Sequence, residues 1–414
     1  MEYINTPMNK IGRVVTGKTP STAIPEYYGG EIMFITPTEL HADFTVKKSD
    51  KTITQAGFNS IRSNTIQGTS VMVGCIGWDM GNVALCTETC ATNQQINSVT
   101  DIKSGYNPLY LYYWLRTKKD YLFSIASVTR TPILSKSTFE EILVPMPRKD
   151  RQDAVAHVLS AIDKKIVLNN GINDNLQQQL KLMYDYWFTQ FDFPSKDGSP
   201  YRSSGGQMVP ANGVSYPIPV DWQVETVFKN RLSSIIKPGV MPFTTKTYLA
   251  TAAVNGTSIS TRNTVDFETR ESRANMQPTE NSVWFAKMKK SIKHLYLNPA
   301  MKPLIEESIL STGFCGLQCS EHSFEYIASF IEHSYFEALK DTLAHGATQE
   351  AVNNDDLAGI ALVIPSDEVL RLYHERTKGI YTQMSKNICE NQELIRLRDW
   401  LLPMLINGQA TVSD

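Results

Sequence analysis

Ala126-Ser127-Val128-Thr129-Arg130-Thr131 lies against Ala344-His345-Gly346-Ala347-Thr348-Gln349 in an internal alignment. It runs on without a gap, always 218 apart, through Phe139/Leu357, Ile142/Ile360 and Val144/Leu362 to Pro147/Pro365. About forty residues of helical pattern follow each copy, each with an Asn-rich patch, Gly171-Ile172-Asn173-Asp174-Asn175 in the first and Asn387-Ile388-Cys389-Glu390-Asn391 in the second. Such a repeat is a tandem duplication over 126–190 and 344–407. The function has to make sense as two similar acts by two similar modules.

Working outward, Val155, Leu159, Ile162, Ile166, Ile172, Leu176, Leu180, Met183 and Trp187 recur mostly at gaps of three and four. That spacing predicts a helix over 151–190 with a coiled-coil-like seam. Leu370, Tyr373, Ile380, Met384, Ile388, Asn391, Ile395 and Leu401 predict a second helix over 367–406. Pro403 is expected to kink or end it, with Gly408 just beyond. Asn169-Asn170-Gly171 interrupts the first seam with a polar layer, which weakens packing but can fix register against a partner helix. Gly171 marks either a close helix approach or a kink, and Gly379 interrupts the second helix in the same way. The simplest arrangement buries the two helices against each other, antiparallel, through Ile162, Ile166, Ile172, Leu180, Ile388 and Ile395. Forty residues of helix measure ~60 Å.

Residues 1–147 read as mixed α and β. Ser70-Val71-Met72-Val73-Gly74 and Val83-Ala84-Leu85-Cys86 are adjacent strands joined by a loop around Gly77-Trp78-Asp79-Met80-Gly81-Asn82, and Pro108 opens a helix. Ile142-Leu143-Val144 reads as a short strand closed by Pro145 and Pro147. Residues 191–220 are dense in proline and glycine, the mark of a linker or an extended crossing segment. A second mixed stretch fills 221–365, with a strand at Ser282-Val283-Trp284-Phe285-Ala286 and an amphipathic helix near 324–343. The fold class is α+β: two globules in tandem over 1–147 and 221–365, each followed by a long helix, 148–190 and 366–414.

The chain of 414 residues is 42% hydrophobic and 20% charged, with net charge −2. No apolar run approaches the ~18 residues of a membrane helix, and Met1-Glu2-Tyr3-Ile4-Asn5 lacks a signal pattern. These features and six cysteines fit a cytoplasmic protein without a membrane partner. Cys86/Cys90 and Cys315/Cys319 fall in different halves with no close His pair, so they read as buried small hydrophobes rather than metal ligands. Charge is segregated in the second half: twelve Lys/Arg against four Asp/Glu from Lys229 to Leu304, then one lysine, Lys340, against seven acids from Ile305 to Gln349. A basic face of that kind neutralises phosphates. Residues 1–150 show no such segregation.

Gly12-Arg13-Val14-Val15-Thr16-Gly17-Lys18-Thr19 matches the phosphate-loop pattern Gly-x4-Gly-Lys-Ser/Thr. That chemistry needs a buried strand before the loop and a helix directly after it. Asn5-Thr6-Pro7-Met8-Asn9-Lys10 is not a core strand, and Thr19-Pro20-Ser21-Thr22-Ala23-Ile24-Pro25 cannot start a helix. A polar turn whose lysine and hydroxyls face a nucleic-acid backbone is the alternative. Asn298-Pro299-Ala300-Met301 lacks the second proline and the aromatic of the amino-methyltransferase motif and reads as a turn. With no nucleophile elbow or His-Glu-x-x-His either, the chain reads as a non-catalytic reader or scaffold. A nuclease or methyltransferase acting alone, or a coiled-coil scaffold without DNA, are the competing readings.

Further matches point to a family. They are Gly17-Lys18-Thr19-Pro20-Ser21, Tyr28-Gly29-Gly30, Phe34-Ile35-Thr36-Pro37-Thr38-Glu39-Leu40, Ile218-Pro219-Val220-Asp221-Trp222, Arg273-Ala274-Asn275-Met276-Gln277-Pro278, Trp284-Phe285-Ala286-Lys287-Met288-Lys289 and Leu397-Arg398-Asp399-Trp400-Leu401-Leu402-Pro403. In that order they resemble the specificity subunit of type I restriction–modification enzymes over essentially the whole chain. The chain departs from simple repetition where Thr129-Arg130-Thr131 stands against Ala347-Thr348-Gln349, and the first globule has no counterpart of Ile218-Pro219-Val220-Asp221-Trp222. The resemblance implies that each globule is a target recognition domain for one half of a split site on double-stranded DNA. It implies that the paired helices set the gap and hold two methyltransferase subunits and, through them, two ATP-driven restriction subunits. S-adenosylmethionine, ATP and magnesium would serve those partners, with no cofactor, metal or catalytic residue in this chain. Expected phosphate contacts are Lys18, Thr19 and Ser21 in the first globule and Lys246, Arg273, Lys287, Lys289, Lys290 and Lys293 in the second. Arg130, Asn275, Gln349 and Gln94 carry the directional donors that base readout needs.

Overall fold

The computed structural model describes residues 3–41, 44–128, 130–259 and 263–412. Thr129, in the repeated loop, lies outside them. The chain divides into two compact units, Met1–Val167 with Glu393–Asp414, and Leu168–Gln392.

In the first unit, Ser70–Gly74 and Val83–Cys86 pair antiparallel as the central and edge strands at one end of a sheet ordered Arg13–Thr16, Ile96–Thr100, Ser70–Gly74, Val83–Cys86. Ser70–Gly74, Val83–Cys86 and Ile96–Thr100 are buried at every residue; the first two read as nearly continuous apolar runs, while the third buries Asn97, Ser98 and Thr100 as well. A second sheet, Lys51–Ile53, Tyr28–Ile35, Cys90–Thr92, Thr65–Ile66, has a parallel pair at its centre. Ile4–Pro7 pairs with Leu143–Met146. Pro108–Arg116 covers the core: Asn107 caps it by accepting from Leu109 N (2.8 Å), and Pro108 takes the first turn, where no amide partner is needed. Leu111, Tyr112, Tyr113, Trp114 and Leu115 are all buried, and a fully buried Leu stabilises by roughly 1.5–3 kcal/mol.

The second unit repeats both four-stranded sheets in the same order. Its first sheet runs Ser233–Ile235, Phe314–Cys319, Ser282–Ala286, His294–Leu297. The second runs Asn263–Asp266, Thr245–Leu249, Ser308–Ser311, Ala274–Met276, again with a parallel central pair. Gln223–Thr226 pairs with Ala361–Ile364 as Ile4–Pro7 does with Leu143–Met146. The duplication therefore spans the whole of each globule, including an opening strand in the first that sequence comparison does not register. Phe324–Glu332 and Ser334–Leu343 stand where Pro108–Arg116 and Lys119–Ser124 stand in the first unit.

The first long helix is Lys149–Tyr184, closed by a single π-turn at Asp185–Thr189, and the second is Asp367–Ile406. Pro403 does not end the second: Asn407 N bonds to Pro403 O (3.0 Å) and the chain turns at Gly408, φ 75. Within the first unit Arg398 Nη1 meets Asp163 Oδ1 at 2.8 Å, and Arg151 Nη2 donates to Ala410 O at 3.3 Å. Within the second, Asn169 Nδ2 donates to Asn391 Oδ1 (2.9 Å) and Asn387 Nδ2 to Asn173 Oδ1 (2.8 Å). One partner number falls as the other rises, so the helices pair antiparallel in each unit. Asn169 and Asn387 are 218 apart, as are Asn173 and Asn391. Equivalent residues thus pair crosswise, as a local twofold requires.

The seam differs from expectation at three positions. Ile162, Ile166 and Leu180 are buried. Ile172 is 37% exposed, because the adjacent Asn173 takes the inward position to bond Asn387. Ile388 packs on the cluster of Leu249, Trp284 and Leu297 in the second globule, and Ile395 is half-buried. A Cβ on Gly171 would meet nothing within 4 Å, so no close approach requires that glycine. Residues 191–220 are anchored on the second unit: Phe191, Phe193 and Ile218 are buried, and Phe193 stacks on Trp222 at 5.0 Å.

Candidate nucleic-acid interface

The loop joining Ser70–Gly74 to Val83–Cys86 is held in the same way as its counterpart between Ser282–Ala286 and His294–Leu297. In the first, Gly77 N donates to Pro132 O (3.0 Å) and Leu134 N to Cys75 O (2.8 Å). In the second, Lys289 N donates to Glu350 O (3.0 Å) and Val352 N to Lys287 O (3.0 Å). Pro132 and Glu350, and Leu134 and Val352, are each 218 apart. The repeated segment that betrays the duplication is therefore the one that braces this loop, 75–82 in one unit and 287–293 in the other.

Around 287–293 the second unit gathers most of its expected site residues. Lys287, Lys289, Lys290 and Lys293 lie on the loop, and Gln349 is exposed beside Glu350. Arg273 joins them through its carbonyl, which accepts from Thr312 N (2.8 Å), while Lys287 N donates to Gly313 O (2.9 Å). Two of the lysines already have partners: Lys289 Nζ pairs with Glu350 Oε1 (2.9 Å), and Lys293 Nζ donates to Thr251 O (2.6 Å). Lys287 and Lys290 make no ion pair among the described residues, so with exposed Arg273 they are the cations best placed for phosphate. Lys290 sits at φ 56, with its N–H on Asp341 Oδ1 (2.9 Å). Asn275 is half-buried on the strand after Arg273. Lys246 lies apart on the second sheet, bonded to Gln277 Oε1 (3.3 Å) over the Phe243 ring; burial lowers its pKa.

In the first unit Lys18 and Ser21 are exposed, and Thr19 Oγ1 donates to Gln94 Oε1 (2.9 Å). Gly17 is obligatory, since a Cβ there would lie 2.1 Å from Asn93 O. The apparent phosphate loop is in fact the strand Arg13–Thr16, and no helix follows it. Cys75 N donates to Gln95 O (2.7 Å), which ties the Gln94 turn to loop 75–82, and exposed Arg130 lies beyond Leu134 on the bracing segment. Sequence reasoning missed Trp78, 71% exposed at the head of this loop and 6.1 Å from Phe123. It also missed Lys119, which reaches the same loop from the helix opposite. Nothing in the local sequence separates an exposed loop tryptophan from a core one.

The acidic run after Ile305 does not form an acidic face. Glu325 pairs with His374 (2.8 Å), Glu332 and Glu337 with the two nitrogens of buried His294 (2.9 Å each), and Glu337 also with Lys340 (2.6 Å). Burial opposes the His294 charge, yet hydrogen bonds to Glu332 and Glu337 outweigh it and raise the pKa. Asn298 Oδ1 accepts from Ala300 N (3.0 Å), so 298–301 is a capped turn. Burial pushes the Cys75 and Cys315 thiols up to about 12, which suits small hydrophobes. No helix among the described residues is long and apolar enough to cross a membrane.

Two equivalent braced loops on one duplicated scaffold define a class, that of a paired recognition protein. Residues 7–178 match the family model described as the type I restriction modification DNA specificity domain. The chain is 24% identical to the type I restriction enzyme MjaIX specificity subunit of Methanocaldococcus jannaschii, over 98% of this chain and 92% of that one. It is 30% identical to the HindI specificity subunit of Haemophilus influenzae, over 42% of this chain and 38% of that one. In fold it is similar to the type I system S subunit from M. genitalium, with TM-score 0.53 and 13% identity over 98% and 96% of the two chains. The matched segment is the first copy, and the second repeats its strand order. Residues 7–178 thus carry the type I restriction–modification DNA specificity domain, and along its whole length the chain is similar to specificity subunits of type I restriction enzymes.

Proposed function

We propose that the chain reads a bipartite site on double-stranded DNA, one half per globule (1–147 and 221–365), with the paired helices (148–190 and 366–414) setting the gap and 191–220 connecting them. The observation that carries this reading is the repeated bracing of loops 75–82 and 287–293, with Lys287, Lys290 and Arg273 gathered at the second. Cations set phosphate affinity, while Arg130, Asn275 and Gln349 supply the directional groups for bases.

Two methyltransferase subunits dock on the outer helix faces and bring two restriction subunits with them. Support comes from exposed apolar residues that recur at the duplication interval: Leu182 is 70% exposed and Trp400, 218 later, 61%. Large isolated apolar side chains at equivalent sites suit two copies of one partner. S-adenosylmethionine, ATP and magnesium belong to those partners, this chain holds no cofactor, and the assembly works in the cytoplasm. The test is binding of the full chain to random and genomic duplexes over a salt series. Reversing Lys287, Lys289 and Lys290 to Glu is expected to weaken binding and flatten its salt dependence. Turnover of DNA by the chain alone, with magnesium, ATP and S-adenosylmethionine, would overturn the reading.

A further inference from the structure

Each braced loop is also gripped from the opposite side by one lysine. In the second unit Lys340, on the helix Ser334–Leu343, is fully buried, 0% exposed. Its Nζ donates to Ala286 O (3.2 Å) and Ser291 O (3.1 Å), the residues at which the chain enters and leaves the lysine-bearing turn. Glu337 Oε2, 2.6 Å away, balances the charge, and Glu337 is itself bonded to His294 on the returning strand. A buried ammonium that donates to two carbonyls of one loop favours a single loop geometry, because any other strands two of its three N–H donors in the protein interior with only Glu337 left as a partner.

The first unit does the same with different atoms. Lys119 opens the equivalent helix Lys119–Ser124, and its Nζ donates to Asp79 Oδ1 (2.8 Å) and Asn82 Oδ1 (2.9 Å) across the tip of loop 75–82. Asn82 Nδ2 in turn donates to Asp79 O (3.0 Å), closing the tip. The lysine stem lies flat on Gly81: at φ +91, a Cβ there would stand 2.8 Å from Lys119 Cγ. Neither lysine was a DNA-contact candidate, and both ammonium groups are already occupied by the protein.

We infer that Lys119 and Lys340 are positioning residues, each setting the geometry of one DNA-reading loop without touching DNA. The inference rests on the proposed reading of half-sites. It is tested on the full chain with Lys119→Met and Lys340→Met, by amide hydrogen exchange and by binding to a duplex carrying the methylation-mapped site or to copies with one half scrambled. Lys119 and Asp79 are half exposed, so loss of the two links to Asp79 and Asn82 corresponds to at most about tenfold. Lys119→Met is expected to speed exchange in 75–82 by up to about tenfold and cut discrimination at one half-site by up to about tenfold. Exchange in 287–293, discrimination at the other half and the salt slope on random duplex stay as they were. Lys340→Met gives the mirror result; if it does not fold, surface Lys119→Met decides alone. Unchanged exchange, or equal loss at both halves, would overturn the inference. Wild-type protein that discriminates neither half would overturn the DNA reading itself, whatever the exchange data say.

Discussion

At residue scale the expected phosphate contacts divide by what already holds them: Lys289 pairs with a carboxylate and Lys293 with a carbonyl, while Lys287, Lys290 and Arg273 make no ion pair among the described residues. Charge counting along a chain cannot tell a free lysine from a committed one. Lys287→Gln and Lys290→Gln are each expected to lower the slope of log affinity against log salt by about one. Lys293→Gln is expected to change it little; a salt series on random duplex checks all three. A second residue-scale prediction concerns His294. Its folded pKa lies above the ordinary 6.5, so its contribution is fully present below 6.5 and fades as pH rises through the folded value. For Glu332, burial works against the charged form, but bonds from His294, Tyr296 and Gln177 lower its pKa below 4.5. Its contribution is in place above 4.5 and fades as pH falls through the folded value. The second unit should therefore melt highest between these limits and lose stability on the alkaline side. Thermal melts of His294→Gln across pH should lack that alkaline loss.

At the scale of elements, both long helices were legible because a period of three to four sustained over forty residues has no other reading. Their seam was less legible. A hydrophobic count favours Ile172, but one residue on, Asn173 can bond Asn387, and a buried asparagine must find its partner. In the first unit the polar link is ionic: Asp163 holds Arg398 (2.8 Å) and accepts from Tyr113 OH (2.6 Å). Asp163→Ala leaves buried Arg398 with only the exposed Asp399 as its partner and strips Tyr113 OH of its acceptor, and is expected to cost about 3 kcal/mol by chemical denaturation. Replacing Asn173 and Asn387 together by Val should leave the melting temperature equal or higher, while helix register becomes less unique. A sharp loss of stability would assign the asparagines a larger energetic role. The opening strand Ile4–Pro7 escaped the sequence reading because it is short, mostly exposed and paired only with a strand more than a hundred residues away.

For the whole molecule, duplication was written in the sequence only where the bracing segment and helices repeat without gaps. The sheets repeat as completely, yet their loops differ in length: the central strands are displaced by 212 rather than 218, as Ser70 and Ser282 show. Reading surfaces have to diverge if the two halves recognise different bases, and that divergence hides the repeat. The positions proposed for partner docking, Leu182 and Trp400, keep the 218-residue interval instead. Leu182→Glu and Trp400→Glu are each expected to remove one methyltransferase subunit, and the double variant both, as measured by the mass of the assembled complex. The most direct measurement is long-read mapping of methylated adenines in cells with and without this chain, and with Lys287, Lys290 and Arg273 replaced. A motif of two short halves around an unspecified gap, lost without the chain and relaxed in one half only by those replacements, is the predicted result. A continuous motif, or one that survives deletion of the chain, would contradict the account.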